Sequence, residues 1–307
     1  MQKLDFVKGL TEIIQKLNSD EITEVFSRSF ATQGDSPFNF TSLTPLLFNS
    51  KSNYDSLIKD KELKKIIADF ELDDIYTNEN LAFIVKHFTQ TSPFNIFKVP
   101  QIKTFWGVHQ ALTHLLRITK KQLLNDVFLQ KNETQLSKGI IIFQIVIDGD
   151  GLDAGIYSEI FINLKELVST ITKINGNEDE NVEIILLDSG SDTNVAIRTT
   201  AETAKSLFLI FKEMWDFFAN FKFYKQKQQN QALMEGLTIM QEVKDKVSSG
   251  LLTEEEGKEY LHYIKSRTDK LIGYKVMPKS IISENTTVDN IKLLHEMKEI
   301  RLLSSGQ

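Results

Sequence analysis

At 307 residues, the chain has room for about two domains, each with a real core. Hydrophobic and charged fractions of 41% and 25%, with only 5 Pro and 14 Gly, exclude collagen-like and broadly disordered chains. A net charge of −6 argues against generic binding to a phosphate backbone, and the absence of cysteine excludes disulfide frameworks, thiolate metal sites and a cysteine nucleophile.

The N-terminus, Met1 to Leu17, lacks the short apolar run of a signal peptide, so a cytoplasmic protein is expected. Leu4, Val7, Leu10, Ile13, Ile14 and Leu17 step by three and four, which places them on one face of a helix. The same spacing recurs from Ser56 to Phe70, from Asn80 to Phe88 and from Val108 to Leu124. Residues 1–130 therefore read as a helical domain. Within it, Ser36-Pro37-Phe38-Asn39-Phe40 resembles Ser92-Pro93-Phe94-Asn95-Ile96-Phe97. Each Ser-Pro step breaks a helix, and the phenylalanines are expected to fold back onto the helix just ended. A shared turn solution is the preferred reading of the two copies, and an internal duplication the alternative.

Phe128 to Lys138 is polar and reads as a linker. Gly139 to Ile147 is a continuous apolar run of buried-strand length. Ile160, Leu164, Leu167, Ile171 and Ile174 then step as a helix, ended by Asn175-Gly176-Asn177. Val182 to Leu187 and Asn194 to Arg198 read as a hairpin around Asp188-Ser189-Gly190-Ser191-Asp192, whose residue types suit a turn better than a phosphate cradle. Glu202 to Val247 is one long helix or two abutting ones, stopped at Ser248-Ser249-Gly250. Thr253 and Glu256 form a capping box that starts the second arm of a helical hairpin. A final amphipathic helix is predicted from Val288 to Leu303. The expected fold is α+β and mostly helical. A domain over 139–278, with a strand-helix-hairpin-helix unit, a long apolar helix and a helical hairpin, follows the first and precedes a C-terminal helix and tail over 279–307.

Three patterns bear on chemistry. The apolar strand ending in Asp148-Gly149-Asp150-Gly151 resembles the nucleophile turn of haloacid-dehalogenase-type phosphatases. That resemblance implies attack by Asp148 and protonation of the leaving group by Asp150. Leu152 stands where that motif has its threonine, so no residue is carried over. Asp148, Asp150 and Glu159 also occupy positions 1, 3 and 12 of a calcium loop, but Leu152 replaces an oxygen ligand and Asp153 the required glycine. The plain reading is a turn in which Asp153 caps the next helix. The histidines offer no metal spacing: His109 and His114 diverge by about 140° on a helix, and His87, His262 and His295 sit alone. Neither a P-loop nor GxGxxG is present.

The segment Leu207 to Tyr224 differs in kind. Placed at 100° per residue, Glu202, Lys205, Lys212, Glu213, Asp216 and Asn220 fall in one arc of about 100°, and most of the remaining circumference is apolar, the reverse of an ordinary surface helix. Lys212, Glu213, Asp216 and Lys222 make it a poor membrane span. Such a helix is the centre of its own core, a contact with a partner, or a membrane-surface element. The preferred reading is a non-enzymatic, self-associating or partner-binding protein, a homo-oligomer or one arm of a complex. Phe208, Phe211, Trp215 and Phe218 would be its anchors. Neither a cofactor nor a nucleic-acid partner is expected. The alternatives are a metal-dependent phosphoryl-transfer hydrolase centred on Asp148 and Asp150, and a small-molecule sensor with an interdomain pocket.

Overall fold

The computed structural model describes residues 2–31, 38–88, 92–122, 126–147, 151–177, 182–190, 192–220, 237–284 and 294. The chain divides into two compact units, Lys3–Leu129 and Gln130–Gln307, the second taking in Met1–Gln2. As expected, the fold is α+β and mostly helical, with a small antiparallel sheet.

The N-terminal unit is all helix. Helix α1 (Lys3–Lys16) buries Leu4, Val7, Leu10, Ile13 and Ile14, the stripe its spacing predicts. Asn18 takes a left-handed turn at φ 51°, a conformation Asn tolerates better than most residues, and α2 (Ser19–Phe30) follows. Helices α3 (Leu43–Leu57) and α4 (Lys61–Asp69) replace the single helix expected from Ser56 to Phe70. Asp60 makes the break: its carboxylate accepts from Glu62 N at 2.8 Å and Leu63 N at 3.0 Å, capping α4. Next come α5 (Leu72–Ile75), α6 (Asn78–His87), α7 (Pro93–Ile96) and α8 (Pro100–Gln122). The last starts eight residues before the predicted Val108, because proline is preorganised for a first helical position.

The two Ser-Pro-Phe turns meet. Phe40 lies 5.9 Å from Phe26 of α2, as folding back requires. Phe97, from the second turn, packs on Phe26 at 5.5 Å, Phe30 at 4.8 Å and Trp106 at 5.2 Å. Both turns thus feed one aromatic cluster seated on α2 and α8. Ser36 and Pro37 lie outside the described residues.

The C-terminal unit opens with α9 (Asn132–Ser137), a helix within the segment expected to be a linker. Only Gln135 and Leu136 of it are buried, too little apolar content for a periodic signal. Strand β1 (Ile140–Ile145) follows, then α10 (Ala154–Ile174), β2 (Glu183–Ser189), β3 (Thr193–Arg198), α11 (Ala201–Asn220), α12 (Thr238–Ser248), α13 (Glu254–Gly273), β4 (Val276–Pro278) and α14 (Lys279–Glu284). The strands run in the order β2-β3-β1-β4, all antiparallel. Ile141, Phe143 and Ile145 pair with Ile197, Val195 and Thr193, and this face, with apolar residues of α10 to α13, forms the core. Ile140 and Ile142, on the other face, are buried too, so β1 reads as an unbroken apolar run without alternation. Arg267 of α13 lies 2.6 Å from the Glu166 carboxylate of α10, an ion pair off the hydrogen-bond direction. Its guanidinium also donates to Asn163 at 3.2 Å.

Two open questions of the sequence are resolved here. Helices α11 and α12 are separate. Thr238 N donates to the Glu213 carboxylate at 3.0 Å, whereas one continuous helix would hold these residues about 37 Å apart at 1.5 Å per residue. The capping box is present in full, Thr253 and Glu256 bonding reciprocally. Of the predicted final helix, only the buried Leu294 falls among the described residues. No helix among the described residues is long and apolar enough to cross a membrane.

Candidate binding site

Thr200 immediately precedes helix α11, and its hydroxyl accepts from Thr203 N at 3.1 Å. Its apolar residues then divide between two environments. Ala204, Leu207, Ile210, Phe211, Met214 and Trp215 are buried in the unit's own core, and Phe211 meets Phe143 of β1 edge-on at 5.5 Å. Phe208 is half-buried, Leu209 is 37% exposed, and Lys205, Lys212 and Asp216 point outward. Of the four expected anchors, the structure therefore places Phe211 and Trp215 inside, 0% and 1% exposed, and leaves Phe208 at the surface. The side chain of Phe218 lies outside the described ones. Strands β1 and β4 with α9, α10 and α12 pack against this helix and cover its buried residues.

What they leave uncovered is a recess of about 570 Å³ between α9, α11 and α14, within the range of small-ligand sites. Phe208, Trp215, Leu136 and Ile281 give it an apolar lining. Lys131, Glu133, Lys212 and Asp216 bring charge, and Asn132 and Ser280 bring neutral polar groups. Trp215 is 1% exposed, and its indole N–H has no hydrogen-bond partner. Burying a donor without a partner costs about 1–3 kcal/mol, and such a group in a native fold needs a reason.

The acidic turns lead elsewhere. Asp148 and Asp150 lie outside the described residues. Glu159 accepts a hydrogen bond from the Tyr274 hydroxyl, which raises the phenol's pKa above its ordinary value. Among the described residues, no group of three or more acidic or histidine side chains is placed to hold a metal ion. In the β2–β3 turn, the Asp192 carboxylate accepts from Gln144 Nε2 at 2.7 Å and Ile147 N at 3.1 Å. This stitches the hairpin to β1, as a turn residue would.

One polar constellation escaped sequence reasoning. In the N-terminal unit, His109 is fully buried, with Nδ1 2.8 Å from Ser19 Oγ and Nε2 3.2 Å from the Tyr76 hydroxyl. Burial alone lowers its pKa to about 3, and burial likewise pushes the Tyr76 phenol above its ordinary range, a hydrogen bond with Ser50 opposing. The Ser50 hydroxyl hydrogen serves the carbonyls of Leu17 and Leu46, at 2.6 and 2.7 Å. Serine, histidine and tyrosine in a row suggest catalysis, yet all three are sealed in the core. The arrangement is structural. Its sequence signal was available: Phe105, His109 and Leu112 share one helical face. Comparison with protein-family models, curated proteins and solved structures returned no match.

Proposed function

We propose that the chain is a non-enzymatic, cytoplasmic binding protein that docks a protein partner, in the first instance a second copy of itself, over the recess of the C-terminal unit. The observation that supports this is the position of Phe208. It is half-buried and lines a recess whose walls mix apolar and charged residues, as protein interfaces combine apolar and polar groups. Leu209, exposed on the same helix, extends the apolar area. The buried anchors Phe211 and Trp215 hold the surface in shape instead of contacting the partner.

Light scattering of the full chain over a series of concentrations tests the proposal. The expected result is a mass that rises with concentration and returns to the monomer value in Phe208→Asp, with the circular dichroism spectrum unchanged. A strict monomer at every concentration removes the second copy as partner. An unchanged assembly in Phe208→Asp and in Ile281→Asp removes the recess as its surface.

A further inference from the structure

The sheet of the C-terminal unit ends in two unlike edges. Strand β4 is three residues long and finishes at Pro278, which has no N–H to offer a further strand. Strand β2 runs for seven residues, Glu183–Ser189, without proline or lysine, and among the described residues it pairs on one side only, with β3. A β-bulge lies between Ile184 and Leu186, and from Leu186 to Ser189 the ladder is regular. The free side of such a strand presents N–H and C=O groups at the spacing of another extended backbone.

Two apolar rows cross the sheet and end on this strand. Phe143 of β1 stands beside Val195 of β3, and Val195 beside Leu187 of β2; Ile141, Ile197 and Ile184 form the next row. Side chains directly opposite in neighbouring strands share a face, so both rows lie on the face that forms the core. They are buried at β1 and β3 and open at β2, where Leu187 is 59% and Ile184 51% exposed. The cover of that face therefore stops short of its edge.

From these unfinished rows we infer that β2 is a docking edge for an extended segment of another protein, which pairs antiparallel along it as a fifth strand. Apolar side chains at alternate positions of that segment lie beside Leu187 and Ile184 and carry each row one strand further. Main-chain hydrogen bonds hold the segment, and the side chains select it. Glu183, still exposed beside Arg198 at 3.4 Å, favours a basic residue across from it over an acidic one. A second copy of β2 fits this edge badly. Antiparallel registers that pair β2 with itself over nearly its whole length set Ile184 across from Asp188, Leu186 across from Leu187, or Glu183 across from Asp188. The first two join side chains of opposite faces, because Ile184 and Leu187 share the core face while Leu186 and Asp188 share the other. The third sets like charges opposite each other. No residue of β2 lines the recess beside Phe208, so this edge stands apart from the surface proposed for self-association.

The probe is the acetylated and amidated peptide Lys-Val-Thr-Val-Thr-Lys, titrated into the full-length protein and followed in its proton–nitrogen spectrum. Saturable shifts are expected at the amides of β2, with none at the amide of Phe208. The same peptide N-methylated at every residue keeps the side chains and loses the donors, and should bind at least about tenfold more weakly, the loss of two or more main-chain hydrogen bonds. Leu187→Lys, altered at an exposed position, should weaken the unmodified peptide at least about fivefold, as expected when half a leucine side chain is no longer buried. Unmoved β2 amides overturn the inference, and so does equal binding of the N-methylated peptide or unchanged affinity in Leu187→Lys. Light scattering tests the choice of occupant: a concentration-dependent mass that Leu187→Lys abolishes would put a second copy on this edge and overturn it. Phe208→Asp should leave peptide binding unchanged, so failure at one surface is distinguishable from failure at the other.

Discussion

Acidification should unfold this protein in part through one residue. His109 is fully buried, and its pKa falls from the ordinary 6.5 to about 3 because burial penalises the cation. Both hydroxyls around it, of Ser19 and Tyr76, are neutral. The unfolded chain therefore binds a proton on His109 below pH 6.5, and the folded chain does not. Between those two pKa values the unfolded state holds more protons, so stability falls with falling pH at about 1.4 kcal/mol per pH unit. Above pH 6.5 the group contributes no pH dependence. By pH 5 the loss from His109 alone is about 2 kcal/mol, a large part of the margin of a typical domain. The assay is urea unfolding at pH 7.5 and pH 5, on the wild type and on His109→Gln. Glutamine keeps a donor and an acceptor but does not titrate, and the carboxylates common to both proteins cancel in the comparison. The wild type should lose about 2 kcal/mol more than the variant over this interval. Equal losses would falsify the account. So would a His109 ring that titrates near 6.5 in the folded protein, a measurement by NMR that does not depend on the variant's folding.

Two further outcomes test the core and the turns. Phe211→Ala should cost about 3–5 kcal/mol in urea unfolding, the range for a fully buried aromatic, while Phe208→Ala should cost less than half as much because that ring is half-buried. Equal losses would place the two rings in the same environment. Gly139 has φ +70°, and a Cβ there would stand 1.9 Å from the Thr199 carbonyl oxygen. Gly139→Ala should therefore destabilise by more than about 1 kcal/mol, a loss that a melt indistinguishable from wild type would refute.

How much of the fold could be read from the sequence follows from what each signal needs. Helix α1 was legible because its apolar residues recur at helical spacing over the whole element, and β1 because burial of both faces makes an unbroken apolar run. The Thr253–Glu256 box was legible because capping depends on residues three apart. The break at Asp60 was not, since apolar spacing runs on across Lys59-Asp60-Lys61 and masks the cap. Strand β4 spans only Val276–Pro278, too short for alternation. It is a strand because β1 offers it a partner through Phe143–Pro278, Gln144–Met277 and Ile145–Val276, a relation between segments more than a hundred residues apart.

The recess was half legible for the same reason. Periodicity at 100° per residue assigns Phe208, Phe211 and Trp215 to an apolar arc, but whether a side chain on that arc is core or surface depends on what is laid against it. Here the deciding neighbours are α9 and α14, six residues each, lying some seventy residues before and after the middle of α11. Each contributes a single apolar wall, Leu136 or Ile281, and neither carries a pattern long enough to announce itself. Pattern therefore found the helix but could not find the hollow beside it. The Trp215 N–H sharpens the point. Its unmet donor is a statement about neighbours that fail to supply an acceptor, which no local pattern encodes. A fully apolar residue of the same size would have closed the core at no polar cost.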